Sequence, residues 1–364
     1  MEKHISVLLE ESISSLNLDK SSVIVDATLG YGGHSSNILE RIKEGHLFAF
    51  DQDSEAIRHS TDRLSKIGTN FTIIKSNFVN LKEELNKLGV YKVDGVLFDL
   101  GVSSPQLDDS SRGFSFHSDA KLDMRMDQEQ KLSAYDVVNN YSKEELANIF
   151  YKYGEDKFSN NIAKKIVEYR ENKPIETTLE LVDVIKSAVP MKFRIDKHPA
   201  RQIFQAIRIE VNHELDVIEP AINQALDMLK VGGRVCVITF HSLEDRLVKN
   251  IFKEKCKIDD VVRGLPNIPD ELLPDFRLVY NKAIAPSANE LESNPRAVAV
   301  DKRLALTSLT RCTTSNKRAL PEIPYFFKEG LTARHIVFSV REGSATTRLV
   351  VSGSKFLSRN SQDA

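Results

Sequence analysis

Three short stretches of this chain share one pattern, and that pattern limits the fold more than any other feature of the sequence. Each is an apolar run of strand length that ends in a carboxylate and continues into a glycine-containing or polar loop: VIVDATLGYGGHS (Val23–Ser35), HLFAFDQD (His46–Asp53) and VDGVLFDLGVSSPQ (Val93–Gln106). Repeated units of strand, tight loop and helix are typical of a parallel α/β sheet, which binds ligands at the carboxyl ends of its strands. The sequence therefore predicts an α/β fold with its chemistry at one edge of a sheet.

The residues that end these strands suit a ligand that contains a nucleoside. Glycines after Asp26 let backbone N–H groups approach a ligand, and the helix that follows adds the positive end of its dipole. Asp51 is placed to accept hydrogen bonds from both hydroxyls of a ribose, because an ionised carboxylate accepts at two oxygens. Asp99 lies at the same edge of the predicted sheet, beside the loop Ser103–Gln106. We infer a nucleoside-cofactor site at this edge.

These residues alone do not decide which nucleoside-containing cofactor is bound. Gly30, Gly32 and Gly33, with Asp51 further along, resemble the dinucleotide-binding fingerprint, which indicates a nicotinamide-dependent dehydrogenase. The third position of that fingerprint is Ser35, where glycine or alanine allows the helix to pack closely on the strand. A dehydrogenase also needs a catalytic tyrosine–lysine or histidine pair, and we identify none.

Composition limits the remaining possibilities. A length of 364 residues suits a main domain with an insertion or a second domain, and 41% hydrophobic with 28% charged residues is ordinary for a globular protein. There is no apolar run of about 20 residues and no signal-peptide pattern, so we expect a cytoplasmic protein without a membrane partner. Three widely spaced cysteines favour a reducing compartment and predict neither a disulfide framework nor a metal site. Because the net charge is only −2, any contact with RNA must be local.

The alternation of strands and helices is interrupted after the strand that ends at Asp99. From about Asp108 to Lys197 the pattern is helical and charged, and strand character returns only at Gly232–Phe240. A helical insertion explains this gap, and an insertion at that edge would lie over the cleft, where substrate recognition belongs. The other expected elements are helices over Ser54–Lys66, Leu81–Leu88, Glu144–Gly154 and Ile162–Arg170 and a strand over Phe71–Phe78.

Eight strings, in order, resemble the bacterial RsmH (MraW) family of 16S ribosomal RNA cytosine-N4 methyltransferases: HISVLLEE, DATLGYGGHS, FDQD, DLGVSSPQLD, RGFSF, LDMRMD, HPARQIFQAIRIEVN and VITFHSLEDR. The resemblance runs from His4 to about Ala297. It implies a class I S-adenosylmethionine-dependent methyltransferase (Rossmann-like) sheet with an inserted helical domain. It also implies methylation of the N4 amine of a cytidine in the decoding region of 16S ribosomal RNA. The expected partner is that RNA within the small ribosomal subunit, and a homodimer is left open.

The resemblance also predicts a domain division. We expect residues 1–108 and 198–300 to form the methyltransferase domain and residues 109–197 the inserted helical substrate-recognition domain. After Ala297 the family usually continues with a short basic segment, which VAVDKRLALTSLT replaces here. Residues 301–364 are therefore expected to form an atypical, poorly ordered and non-catalytic extension, in which residues 335–340 and 347–353 are candidates for a hairpin.

The resemblance also implies functions for individual residues of this sequence. The loop after Asp99 would hold the N–H groups of the target amine, as a short proline motif does in related amino-methyltransferases, because methyl transfer depends mainly on positioning and electrostatics. The loop lacks the usual aromatic residue after proline, so we expect Phe114 or Phe116 of RGFSF to stack on the base. The predicted cofactor contacts are Gly32, Gly33, His34, Asp51, Phe78, Asp99 and Gln106, and the predicted catalytic residues are Asp99, Ser103, Ser104 and Pro105.

Two further groups are predicted to bind RNA. One is the polar face of a helix, and the other is the locally basic stretch just before it, which contains Lys186, Lys192, Arg194 and Lys197. Arg201, Gln205, Arg208 and Asn212 recur at helical spacing opposite an apolar face, so one face packs and the other is available to phosphates. A solvated helix face is the alternative for each of these residues, and a ribosome-assembly factor that binds RNA without catalysis is the alternative for the protein. His241 and Asp245, considered as metal ligands, lack partner ligands in the sequence. The predicted RNA contacts are Phe114, Phe116, Arg194, Lys197, Arg201, Arg208 and His241.

Overall fold

The computed structural model describes two units of the chain, Met1–Glu322 and Ile323–Ala364. The described residues are 6–194, 198–263, 267–280, 282–294, 305–312, 317, 337–342, 345–352 and 355–357. None of the helices in these ranges has the length and apolar character that crossing a membrane requires.

A seven-stranded sheet forms the centre of the first unit, in the order β3-β2-β1-β4-β5-β7-β6 within the described residues. The first five of these strands are parallel, and β7 runs antiparallel to both β5 and β6. The α/β fold class predicted from the sequence is confirmed. The strands are β1 Val23–Asp26, β2 His46–Asp51, β3 Phe71–Lys75, β4 Val93–Asp99, β5 Leu229–Thr239, β6 Phe276–Leu278 and β7 Ala305–Arg311.

Helices cover both faces of this sheet because its central strands are apolar on both sides. Ile24 of β1 packs in one apolar core with α1, α2 and α3, and the next residue, Val25, packs in a second core with α4, α11 and α12. The described helices are α1 Leu9–Leu16, α2 Gly33–Arg41, α3 Ser54–Leu64, α4 Leu81–Lys87, α5 Ser104–Asp108, α6 Ala134–Asn140, α7 Lys143–Lys152, α8 Ser159–Arg170, α9 Thr178–Ala188, α10 Ala200–Asn212, α11 Ile218–Met228, α12 Ser242–Lys255 and α13 Ala288–Ser293.

Helices α6 to α10, which lie between β4 and β5 in the sequence, pack around a third apolar core. Capping boxes begin α6, α7 and α9, where Ser133, Ser142 and Thr177 precede an acidic residue at the third helical position. Ile203 and Ile207 of α10 are completely buried in this core. The domain division stays a prediction, and the packing favours ending the inserted helical domain after α10 rather than at residue 197.

The packing also favours a later C-terminal boundary of the methyltransferase domain than the predicted residue 300. Strand β7 lies in the segment assigned to the extension, yet it pairs with β5 and β6 inside the sheet, and its Leu306 and Leu309 are completely buried. In the second unit, β8 Val337–Glu342, β9 Ala345–Ser352 and β10 Lys355–Leu357 form an antiparallel sheet. The predicted hairpin is present there as the β8–β9 pair. The prediction of poor order for the rest of the extension concerns residues outside the described ones.

Candidate active site

A cavity of about 510 Å³ lies at the carboxyl ends of the parallel strands. Residues that follow β1 to β5 form one wall, and Phe116 and Met126 from the insertion, with Phe204 of α10, contribute to the other. This is the edge of the sheet to which the sequence assigned the chemistry. Of the predicted site residues, the cavity is lined by Gly33, His34, Asp51, Phe78, Asp99, Ser103, Gln106, Phe114, Phe116, Arg201, Arg208 and His241.

The glycine-containing loop after β1 makes its tightest contact at Gly33. A Cβ at this position would lie 1.8 Å from Ser6 Oγ and 3.2 Å from Ser6 Cβ, so any other residue would require the Ser6 side chain to move. Gly32 has a φ of +73° and begins α2 in the left-handed conformation that glycine favours. Gly32 lies outside the cavity lining, and its role in cofactor binding stays a prediction.

Asp51, at the end of β2, is fixed by two backbone donors. Its Oδ2 accepts the N–H of Gly30 at 2.8 Å, and its Oδ1 accepts the N–H of Asp53 at 2.8 Å. Burial raises the pKa of Asp51 to about 6, against the lowering effect of these two hydrogen bonds. Each oxygen keeps a lone pair for a further donor, so an ionised Asp51 can accept from two neighbouring hydroxyls.

Asp99, at the end of β4, is held by its backbone and by His34. Its backbone N–H donates to Thr28 Oγ1 at 2.6 Å, and His34 Nδ1 lies 3.4 Å from Asp99 Oδ2. Burial opposes charge on His34, but the hydrogen bond and negative charge of Asp99 outweigh it and raise the pKa of the imidazole. Asp99 Oδ1 is buried and has no hydrogen-bond partner among the described residues. This oxygen is available to a bound ligand.

The loop after β4 places one hydroxyl at the cavity. Ser103 Oγ is buried at the N-cap of α5, where it faces the backbone N–H of Gln106 in a capping box, and it forms no hydrogen bond in the described part of the chain. The backbone N–H of Ser103 donates to Gln106 Oε1 at 3.1 Å, which fixes the loop. Pro105 lies in the first turn of α5, which it shapes, and outside the cavity lining; its catalytic role stays a prediction. The side chain of Ser104 is not among those described.

Three predicted aromatic contacts lie on the cavity wall. The ring of Phe78 is half-buried and packs edge to face on Phe98 at 5.6 Å. Phe114 is only 5% exposed and belongs to the helical core. Phe116 is half-buried and stacks on His198 at a centroid distance of 4.9 Å. Of the two candidates for stacking on a base, Phe116 therefore has the more accessible ring.

The polar face predicted on α10 is mostly engaged inside the protein. Arg208 donates two hydrogen bonds to Glu214, from Nε at 2.8 Å and from Nη2 at 2.7 Å. Gln205 donates to the carbonyl of Tyr153, and Asn212 donates to the carbonyl of Met124. These three side chains are therefore not a free phosphate-binding face, because the insertion accepts from Gln205 and Asn212, and Glu214, just after α10, accepts from Arg208.

The remaining predicted RNA contacts differ in position. Arg201 is exposed and lines the cavity. The Nε of Arg194 donates to the carbonyl of Val189 at 2.7 Å, and Arg194 lies outside the cavity lining. Lys197 lies outside the described residues. Arg201 is thus the cation that the structure brings to the cavity mouth.

His241 is buried at the start of α12, in a group of charged side chains. Its Nε2 lies 3.1 Å from Glu244 Oε1, and ligand atoms of Glu214, His241 and Glu244 lie within 4.8 Å of one another. Asp245, the partner that the sequence had offered for His241, instead accepts a hydrogen bond from Lys249. Arg208 forms an ion pair with Glu214, so the charge of one carboxylate in this group is already neutralised.

The sequence reasoning missed two residues that connect the parts of the site. Asp53 and Arg112 form an ion pair with an Nη1–Oδ2 distance of 2.9 Å, and both side chains are 5% exposed. Arg112 begins the quoted string RGFSF, in which only the phenylalanines had been assigned a role. The sequence pattern around Arg112 does not indicate that it pairs with Asp53, which lies 59 residues earlier in the chain.

The residues around the cavity fit S-adenosylmethionine. Asp51 suits the ribose, Phe78 offers an apolar edge to adenine, and the bare backbone at Gly33 gives room to the amino-acid end. The carboxylate of Asp99 suits a cationic sulfonium. Asp26 is buried outside the cavity lining, where it accepts hydrogen bonds from Ser35 and Thr28. The strand order places β7 antiparallel beside β5, the last of the parallel strands. This order and the cavity define a class I S-adenosylmethionine-dependent methyltransferase.

Comparisons with known proteins identify the family within this class. Residues 1–307 match the sequence profile of the MraW methylase family, and the chain belongs to that family. It is 53% identical over 305 residues to the ribosomal RNA small subunit methyltransferase H of Exiguobacterium sibiricum, covering 84% of this chain and 98% of that protein.

Solved structures similar to this chain are more distant. An rRNA methylase from Streptococcus thermophilus has a TM-score of 0.38 and 14% identity, over 86% of this chain and 99% of that one. An S-adenosylmethionine-dependent O-methyltransferase from Thermotoga maritima has a TM-score of 0.36 and 10% identity, over 86% of this chain and 69% of that one. The family membership excludes the dehydrogenase alternative.

Proposed function

We propose that this chain methylates the N4 amine of a cytidine in the decoding region of 16S ribosomal RNA. The observation that carries the proposal is a pair of buried oxygens without described partners, Asp99 Oδ1 and Ser103 Oγ, on residues that line the same cavity. Buried polar atoms are nearly always hydrogen-bonded in folded proteins, so two such acceptors favour a ligand that brings N–H donors. An exocyclic amine brings two.

The two oxygens suit the electronic problem of this amine. The lone pair of cytosine N4 is delocalised into the ring, so the nitrogen is a poor nucleophile in its resting geometry. Asp99 Oδ1 and Ser103 Oγ would each accept one N–H and turn the lone pair out of the plane of the ring. S-adenosylmethionine, when bound, would supply an electrophilic methyl group and leave as S-adenosylhomocysteine, and the methylated amine would release one proton to Asp99 or to water. Asp99 also favours the positive charge that grows on the amine as its nitrogen becomes tetrahedral.

The insertion would hold the base and the nearby RNA. Phe116 offers an apolar ring for stacking, which is worth roughly 1–3 kcal/mol per base. A paired cytidine must first leave its helix to enter a cavity of this depth. Arg201, at the cavity mouth, is suitably placed for a phosphate of the same strand.

The name of the 53% identical relative supports RNA of the small ribosomal subunit as the substrate. We place the reaction in the cytoplasm, on 16S ribosomal RNA within the small subunit. The non-catalytic alternative, an assembly factor that only binds RNA, leaves the orphaned Asp99 and Ser103 oxygens without a role.

Methyl transfer to isolated ribosomal material tests the proposal. The purified protein is incubated with S-adenosylmethionine and either small subunits or naked 16S RNA that lack the modification. Nuclease digestion and mass spectrometry then identify the modified nucleoside and its position. We expect N4-methylcytidine in the decoding region with at least one substrate, and a large loss of product with Ser103→Ala. A product at another atom or in another region, or no product from protein that binds S-adenosylhomocysteine, would overturn the proposal.

A further inference from the structure

Arg112 is a buried arginine whose guanidinium joins the insertion to the sheet. Its Nη1 donates to Asp53 Oδ2 at 2.9 Å, just after β2. Its Nη2 donates to the backbone carbonyls of Arg125 at 2.9 Å and Met126 at 3.2 Å, and Met126 lines the cavity. One planar group thus fixes the distance between a sheet loop and the far wall of the site, a geometry that a guanidinium provides and an ammonium does not.

Asp53 is the point where these connections meet. Asp53 is the N-cap of α3, where its Oδ1 accepts the N–H of Glu55. The backbone N–H of Asp53 donates to Asp51 Oδ1. Its Oδ2 accepts from Arg112 and also from Gln106 Nε2 at 2.9 Å. Burial raises the pKa of Asp53, but the hydrogen bonds from Gln106 and Arg112 outweigh it and lower the pKa, so the carboxylate stays ionised.

Gln106 passes this constraint to the acceptor loop. Its side chain is 7% exposed, and both ends of its amide are used: Nε2 donates to Asp53, and Oε1 accepts the N–H of Ser103. The carboxylate can only accept and the backbone N–H can only donate, so the amide has one orientation. The backbone of Ser103 is therefore tied, through Gln106 and Asp53, to the guanidinium of Arg112.

We propose that Arg112 is a positioning residue for methyl transfer, which sets the place of Ser103 by holding Asp53 and Gln106. The inference rests on the proposed function, in which Ser103 Oγ holds the target amine. A displacement of about 1 Å in such a group costs roughly a hundredfold in rate. Arg112 acts on the chemical step through the loop and contributes little to cofactor affinity.

The alternative is that Arg112 and Asp53 form only a structural ion pair. Breaking a buried pair destabilises the fold because it leaves one charge without its partner, so loss of activity in Arg112→Ala would not separate the two roles. Arg112→Lys keeps the charge beside Asp53 but cannot also reach the two carbonyls. Gln106→Met keeps the size of the side chain and removes both of its hydrogen bonds, to Asp53 and to the N–H of Ser103. Because Gln106 also lines the cavity, the KM for S-adenosylmethionine is measured beside kcat for this variant.

A double-mutant cycle on kcat separates the roles. We expect Arg112→Lys and Gln106→Met each to lower kcat by roughly tenfold to a hundredfold, and the double variant to lie within about threefold of the worse single variant, because both cut the same connection. The KM for S-adenosylmethionine should change less than about threefold in Arg112→Lys. Arg125→Lys is the matched control, because it keeps the backbone carbonyl that accepts from Arg112 and changes only a side chain that pairs with Asp123 and is not bonded to Asp53.

A second measurement does not depend on activity. With S-adenosylhomocysteine bound, hydrogen exchange of peptides covering residues 100–109 should accelerate at least tenfold in Arg112→Lys and in Gln106→Met, and not in Arg125→Lys. Multiplicative losses of kcat in the double variant, or unchanged loop exchange in Arg112→Lys, would overturn the inference. If the wild-type protein methylates no cytidine of 16S RNA, the proposed function fails, and the exchange experiment still decides whether Arg112 holds the loop.

Discussion

Asp51 accepts the backbone N–H of Gly30 at 2.8 Å, so the carboxylate that ends β2 is bonded to the loop that follows β1. The two strands are neighbours in the sheet, and the bond fixes one oxygen of Asp51 with respect to the glycine-containing loop. A ligand that contacts both the loop and the carboxylate therefore meets a preorganised surface. Preorganisation lowers the entropic cost of binding.

Replacing Asp51 should weaken cofactor binding while the protein stays folded. Asp51→Ala removes the charged acceptor of two hydroxyl donors, and we expect the affinity for S-adenosylmethionine to fall by about 1.5–3 kcal/mol. Isothermal titration measures this loss. Asp62→Ala, on the exposed part of α3, is the matched control and should bind as the wild type does. Equal affinity of a folded Asp51→Ala protein would remove Asp51 from the site.

Cofactor affinity should depend on pH through the same carboxylate. Because burial raises the pKa of Asp51 to about 6, the ionised form that accepts from hydroxyls is depleted as the pH falls through that value. At pH 5 only about a tenth of the groups remain ionised, so binding of S-adenosylhomocysteine should be roughly tenfold weaker than at pH 8. Binding near pH 6 should also release a proton, which titrations in buffers of different ionisation enthalpy detect. In Asp51→Asn this proton release should disappear; its persistence would assign it to another group.

Ser103 and Pro105 should affect turnover more than cofactor binding. Ser103→Ala removes an acceptor for the amine, and Pro105→Ala loosens the start of α5, so we expect kcat to fall by roughly tenfold or more. The Kd for S-adenosylhomocysteine should change by less than about threefold. Steady-state kinetics and calorimetry on the same preparations check both numbers. Parallel losses in kcat and cofactor affinity would show instead that the loop is part of the cofactor wall.

Arg201 and Arg208 should respond differently to the same substitution. Arg201→Gln should weaken RNA binding and reduce the slope of log K against log salt by about one unit, because one phosphate contact is lost. Arg208→Gln leaves Glu214 buried without its partner and should lower the free energy of unfolding by roughly 3–5 kcal/mol. Salt-dependent RNA binding and denaturant unfolding measure the two effects. An unchanged salt slope in Arg201→Gln would place RNA recognition elsewhere.

Two truncations should give opposite results. A chain that ends at Glu322 lacks the second unit but keeps β7, and we expect it to bind S-adenosylhomocysteine and to methylate RNA. A chain that ends at Val300 also lacks β7, which leaves β5 and β6 without their shared partner and removes the buried Leu306 and Leu309. We expect that shorter chain to be unfolded or insoluble by circular dichroism. Activity loss in a folded chain ending at Glu322 would show that the second unit takes part in the reaction.

The sequence predicted the features that depend on local pattern. Apolar runs and their terminal carboxylates identified β1, β2 and β4, and helical periodicity placed α3 and α4 within two residues of their ends. These predictions succeed because burial and capping are recorded in neighbouring residues. Asp51, Asp99 and Ser103 reach the cavity for the same reason, since the carboxyl ends of parallel strands meet at one edge.

Features that depend on distant partners were missed. The polar residues at helical spacing on α10 were predicted to be available to phosphates, but Gln205, Arg208 and Asn212 are bonded to other parts of the chain. Strand β7 was not recognised because its sequence differs from the usual family segment, while its place in the sheet depends on pairing with β5 and β6. The bond from Arg112 to Asp53 joins two segments that share no periodicity.

Strand β7 also orders the assembly of the sheet during synthesis. It lies between β5 and β6, yet it follows both of them in the chain. The ribosome therefore releases β5 and β6 before the strand that pairs with each of them exists. Until then β5 has an open edge with unpaired backbone groups, which is a template for intermolecular strand pairing. The nascent enzyme thus depends on a segment made late in synthesis to close this edge.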